Sequence, residues 1–501
     1  MDYLFILIQS LSATEKRYFT RLSTLQTQSS VNQYAQLFNK ISKVKKYNEK
    51  EIKKDFNAAH FPQLKQTLYK KILQALRMFH ASEHFENEPN IHLTNSKILL
   101  SKGLVDEARK EFNRAEKRAQ VGSLPFETAM LFREKNFQNT RTISVNEIQE
   151  RLKNHDEFWV DHVKALENEL KYEKLFLEVE LLNKQFEATR NSLEKRNISD
   201  FLQNFLLINE KSAETVYSKI LFNFIKGLAY YLNSDFNYCE KYMITSIELL
   251  ESNPSYINQK EDIYIRSIAN LCLVQLYQKS EKFNDSIAKL KNYKPEYPHI
   301  IDYKNYLVFV LEIMYCNSNS QFEKGIQLIK ETEDFTNRIE NQIAENQEIA
   351  QEKVYSVFQK ITAYLGNNQQ KDAKKLLMEF IQKKSNAIKE DAFILARVLL
   401  LFIHFESKDN QLIESEMRSI VRFLHGRNKL YLFEKQILKF ISNMLEANSS
   451  SERKVIFSQL KNDMANLKNM DLEKNAFIYF DFSNWINSFD ESSITEERSE
   501  Y

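Results

Sequence analysis

Five segments of this chain repeat one arrangement, and that repetition limits the fold more than any other feature. Each has an apolar or aromatic stretch, a short polar turn, then a second stretch whose small and bulky residues are spaced four and three apart. In LAYYLNSDFNYCEKYMITSIEL, residues 228–249, Cys239, Met243 and Ser246 stand at i, i+4 and i+7. That spacing places them on one face of a helix. The same interval carries Ala108, Phe112 and Ala115; Ser286, Leu290 and Tyr293; Gly325, Ile329 and Thr332; and Ala373, Leu377 and Phe380. Small side chains on one face let a neighbouring helix come close. The expectation is a series of helical hairpins that pack on one another.

Composition excludes the main competitor. The 501 residues include 6 Gly and 6 Pro, where an average chain of this length carries about 60 of the two together. A large sheet needs many tight turns, and those residues make most of them. An all-α chain with Asn- and Ser-rich turns is expected instead. Cys239, Cys272 and Cys316 form no close-spaced pair, which suits reduced thiols in the cytoplasm. The apolar start, MDYLFILIQSLS, lacks a basic lead and a cleavage site. The most apolar interior run, ILARVLLLFIHF at 394–405, is too short to span a bilayer and contains Arg397 and His404. No membrane segment is expected.

The hairpin pattern resembles the tetratricopeptide repeat, a two-helix unit that stacks into a superhelical α-solenoid. Gly227 and Tyr230 match its first helix, Cys239 and Ser246 the small positions of its second, and Pro254 the position just past the pair. Ala108, Phe112 and Ala115 match the second-helix pattern most fully. The anchors Ala108, Cys239, Ser286, Gly325 and Ala373 lie 131, 47, 39 and 48 residues apart, against a family period of about 34. Helices or turns longer than the family norm are therefore expected. Three regions follow: a basic helical domain at 1–88, TPR-like hairpins at 89–487, and an acidic tail at 488–501 with no apolar period.

The resemblance implies a groove lined by first helices that receives a peptide or helix from a protein partner. Its expected contact residues are Lys97, Tyr231, Gln275, Lys279, Ser356 and Lys360. Some family members hold a partner's terminal carboxylate with a Lys and Asn pair. The corresponding positions here, Leu93 and Lys97, Phe224 and Leu228, Leu271 and Gln275, and Ser356 and Lys360, lack it.

Charge sets the N-terminal end apart. Residues 1–80 hold 14 Lys and Arg against 5 Asp and Glu, a net +9 in a chain of net +2. Lys45, Lys46, Lys53, Lys54, Lys70 and Lys71 are the residues that would meet nucleic-acid phosphates, where lysine supplies affinity with little sequence information. A solvated helical cap on the first repeat explains the same charges and is preferred. Ser12 and Glu15 read as a capping box that starts a helix.

Signs of catalysis are sparse. HASEH at 80–84 matches the inverted zinc-peptidase motif, with His80 and His84 as ligands and Glu83 as base. It falls between a basic helix and FENEPN, a turn-like stretch, in a chain with no α/β peptidase pattern. His155 and His162, with Asp156 and Asp161, fit one solvated helix face. The isolated glycines form no phosphate loop and no serine elbow. No metal or other cofactor is expected, and the expected function is a non-enzymatic protein–protein interaction scaffold. A nucleic-acid-binding regulator is the alternative, and a zinc peptidase the remotest one.

Overall fold

The computed structural model describes residues 2–25, 33–44, 47–57, 59–80, 88–122, 124–137, 144–185, 190–295, 297–345, 351–382, 390–406, 410–426 and 430–487. The expected acidic tail, Lys45, Lys46, Glu83 and His84 lie outside them. Among the described residues there are twenty-five α-helices, two 3-10 turns and no strand. The fold is all-α. No helix among them is long and apolar enough to cross a membrane.

The chain divides into two compact units, Met1–Leu166 and Glu167–Tyr501. In the first, α1 (Tyr3–Ser10) is capped by Asp2, whose carboxylate accepts from the Leu4 and Phe5 amides. The capping box then opens α2 (Ala13–Leu25): Ser12 N–H donates to Glu15 at 2.6 Å, and Glu15 N–H donates to Ser12 Oγ at 3.2 Å. With α3 (Gln33–Lys43), α4 (Glu49–Lys53) and α5 (Phe61–Phe79) these helices enclose a core that includes Leu4, Phe19, Phe38, Phe61 and Leu68. A second cluster follows in α6 (Glu88–Ser101), α7 (Val105–Val121) and α8 (Pro125–Phe137), around Leu93, Phe112, Ala115 and Leu131. The expected boundary at 88/89 falls inside this unit, between its two clusters.

Helix α9 (Val145–Gln185) enters the second unit at Glu167. There follow α10 (Ser192–Leu202), α11 (Phe205–Ile208), α12 (Val216–Leu232), α13 (Phe236–Glu251), α14 (Pro254–Gln259), α15 (Glu261–Tyr277) and α16 (Phe283–Asn292). Next come α17 (Pro298–Ser318), α18 (Phe322–Glu345), α19 (Gln351–Gly366), α20 (Gln370–Gln382), α21 (Glu390–Glu406) and α22 (Asn410–His425). The last are α23 (Leu432–Glu446), α24 (Ser450–Asn469) and α25 (Phe482–Asn487). Sequence neighbours pair: α12 with α13, α15 with α16, α17 with α18, α19 with α20. Each pair also packs on the next, through α13 and α15, α15 and α17, and α17 and α19.

One turn geometry joins the two helices of each recurring hairpin. Gly103, Ser234, Lys279, Ser320 and Asn368 follow the first helix with φ of 78°, 61°, 53°, 56° and 57°. In every case the next residue's N–H reaches back five residues, as Leu104 to Leu99 and Asp235 to Tyr230 do at 3.0 and 2.9 Å. The left-handed residue itself donates to the carbonyl three residues before it. This is the Schellman closure, which satisfies the last carbonyls of a helix. Four of the five use no glycine, so the chain makes its sharp turns with few of them.

The anchors are fixed to these turns. Ala108, Cys239, Gly325 and Ala373 each stand five residues after the left-handed residue, and all four are buried. Ser246 faces α15 with its Oγ 3.5 Å from Ser267 Oγ. A Cβ added to Gly227 would meet Met243 Cε at 2.8 Å, so that glycine lets α12 and α13 touch. Tyr230 stacks on Tyr238 and Tyr242 beside it. One anchor is corrected. The turn before α16 is longer, and the buried face there is Phe283, Ile287 and Leu290, with Ser286 only half-buried.

Candidate functional site

One cleft of the second unit is lined chiefly by first helices. It measures about 80 Å³ and takes Leu228 and Tyr231 from α12, and Arg266, Ala269, Asn270 and Leu273 from α15. From α17 come Tyr303, Leu307, Val310, Leu311 and Met314, from α19 Tyr355, and from the end of α9 Asn183. On α15 and α17 the lining residues recur at three and four, the signature of one helical face. The second helices α13, α16, α18 and α20 contribute none. The walls are chiefly aliphatic, with a few polar groups among them. Tyr231 and Tyr355 join α12 to α19 through a buried hydroxyl pair, 2.7 Å apart. Arg266 pairs with Glu180 and lies over the Phe224 ring at 5.1 Å, so its stem and charge are both held.

One turn beyond the cleft, the same helix faces carry the chain's own segment 470–481. Tyr277, four residues after Leu273, donates its hydroxyl to the Ile478 carbonyl at 3.3 Å. Gln359, four residues after Tyr355, donates Nε2 to the Tyr479 carbonyl at 3.1 Å. Ser234, three after Tyr231, donates to Asn475 Oδ1 at 2.8 Å. The Tyr479 ring stacks on Phe358 at 5.4 Å and leans on Tyr355 at 5.0 Å. Phe480 and Phe482 sink into a core that includes Phe402, Phe433 and Phe440.

A buried ion cluster fastens this segment. Arg190 donates to Glu434 at 2.6 and 3.1 Å and to Glu473 at 3.3 Å. Glu473 also accepts the Leu432 and Phe433 amides at the start of α23, at 2.9 and 3.1 Å. Burial works against the Arg190 charge, but the carboxylates outweigh it and hold the guanidinium above its ordinary range. All three side chains are nearly inaccessible.

Of the expected groove residues, Tyr231 lines the cleft and the others do not. Ser356 and Lys360 turn instead to Glu340 of α18, each 2.9 Å from its carboxylate. One residue turns a helix by about 100°, so Ser356 faces a different neighbour from Tyr355. Gln275, nine positions after Arg266, comes out on the opposite side of α15, with Nε2 3.4 Å from Glu240. Lys279 is the left-handed residue of a turn. Lys97, in the first unit, is exposed and pairs with Glu134 at 2.7 Å.

In the basic region Lys54 and Lys70 are exposed, Lys53 is half-exposed, and Lys71 lies over the Tyr34 ring at 5.5 Å. Lys65 is buried among Asp2, Glu49 and the Tyr47 hydroxyl, so it belongs to the core. His80 of the HASEH motif sits 2.7 Å from Glu15. Among the described residues no group of His, Cys, Asp and Glu could hold a metal ion. Burial pushes the Cys272 thiol up to about 12 and raises those of Cys239 and Cys316, which keeps them unreactive. No protein-family model, no curated protein and no solved structure matches the chain.

Proposed function

We propose that this chain is a cytoplasmic, non-enzymatic interaction scaffold, an α-solenoid of TPR-like hairpins whose groove receives a segment of a partner protein. The observation that carries the reading is the cleft lined by first helices, with the second helices turned away from it. Five hairpins closed by one turn geometry support the repeat reading.

A photo-crosslinking residue at Asn270 tests it in the native cell, beside a control at the exposed Lys110. A protein adduct found at Asn270 and absent at Lys110 is expected. Equal labelling at both positions overturns the groove. The exposed lysines Lys54 and Lys70 favour a second reading, a nucleic-acid surface on the first unit. Binding to generic duplex DNA that weakens steeply as salt rises would establish it.

A further inference from the structure

We infer that the cleft is an anchor site for an aromatic side chain carried on a non-helical segment of the partner protein. This rests on the scaffold reading and names what its groove takes. The chain's own segment supplies the template. At 478–481 its backbone is irregular, and two elements of the first-helix surface hold it: ring faces and a side-chain amide. Tyr355 and Phe358 receive the Tyr479 ring, and Gln359 binds the carbonyl of the same residue.

One turn down, the cleft again brings ring and carboxamide groups to one wall, with Tyr231, Tyr303, Tyr355 and Asn270 among its lining. Tyr355 is common to both sites, touching Tyr479 on one side and bonding Tyr231 across the cleft on the other. Asn270, from α15, offers the cleft a carboxamide like that of Gln359 on α19. It is half-buried in the wall, and its amide meets no hydrogen-bond partner among the described residues. A carboxamide both donates and accepts, so it matches a peptide group, which does the same. Around it Leu273, Leu307 and Met314 offer aliphatic and thioether surface, which aromatic rings contact favourably. The cleft's free charge is small, because Arg266 is already paired. An uncharged ring is the side chain such walls reward.

The test is selection of short random peptides on the purified full-length protein. Enriched peptides are expected to share one Phe, Tyr or Trp, and changing that residue to Ala should weaken binding about tenfold or more. Leu273→Trp fills the cleft and should abolish binding. Asn270→Leu, at a half-exposed position, should weaken it about tenfold while circular dichroism stays unchanged. Should Leu273→Trp fail to fold, Asn270→Leu decides. Aromatic peptides that ignore both variants bind elsewhere and overturn the inference. Peptides without an aromatic residue, yet lost on Leu273→Trp, overturn the anchor and leave the scaffold reading standing. If no peptide is enriched, both fail.

Discussion

Lys279 and Ser320 show how much a single residue contributes to these turns. Both are exposed and both hold positive φ, a conformation that costs an L-residue with a Cβ about 1–2 kcal/mol. Glycine relieves that strain but brings a more flexible unfolded chain. Lys279→Gly should therefore raise stability by about 0.5–1 kcal/mol, read as a later midpoint in urea with unchanged slope. Glu15 is the corresponding case for charge. Burial alone would raise its carboxyl, but the Ser12 amide and hydroxyl and the His80 imidazole outweigh that and hold it below its ordinary value. A carboxyl lowered on folding stabilises fully above its unfolded value, about 4.3, and that stability is lost as pH falls through the folded value. The advantage of wild type over Glu15→Gln should thus be constant near neutrality and shrink as pH falls below about 4. Chemical denaturation at a series of pH values measures it. A gap that holds steady into acid would show that the ion contributes nothing.

Helix α7 is the element on which the hairpin pattern can be checked most simply. Ala108, Phe112, Ala115 and Ala119 form its buried face, and Ala108 is 1% exposed. Ala108→Leu should cost about 1–3 kcal/mol by overpacking, whereas Lys110→Leu, on the exposed side, should change stability by less than about 0.5 kcal/mol. Urea unfolding of the two variants side by side decides it. Spacing revealed this face because it depends only on residues within one helix. The α16 face escaped by one position, because the length of the preceding turn sets its phase and spacing alone points to Ser286. Of the residues expected to line a groove, the cleft contains one. Tyr231 was legible; Tyr355 was missed for its neighbour Ser356, where about 100° of rotation separates cleft wall from helix packing. Segment 470–481 falls where helical hairpins are expected to continue to 487; it forms a 3-10 turn and irregular backbone instead, held by partners as far away in sequence as Arg190.

At the scale of the molecule, the second unit is closed by the joining of its early and late residues. Arg190 lies 244 positions from Glu434 and 283 from Glu473. Removing the cation strands two buried carboxylates, which typically costs about 3–5 kcal/mol. Arg190→Met should show that loss in denaturant, and adding Glu434→Gln and Glu473→Gln to it should restore part of the stability. Absence of any recovery would mean the charges are not what the arginine answers. The cluster also sets an order of events during synthesis. A ribosome delivers residue 190 long before either carboxylate, so the nascent chain must keep that guanidinium hydrated while α12 to α22 emerge. The hairpins can form as they leave the tunnel, because their turns and anchors are local. The cation cannot be buried until Glu434 and then Glu473 arrive, and a chain stalled short of them would hold its hairpins with this last junction still wet.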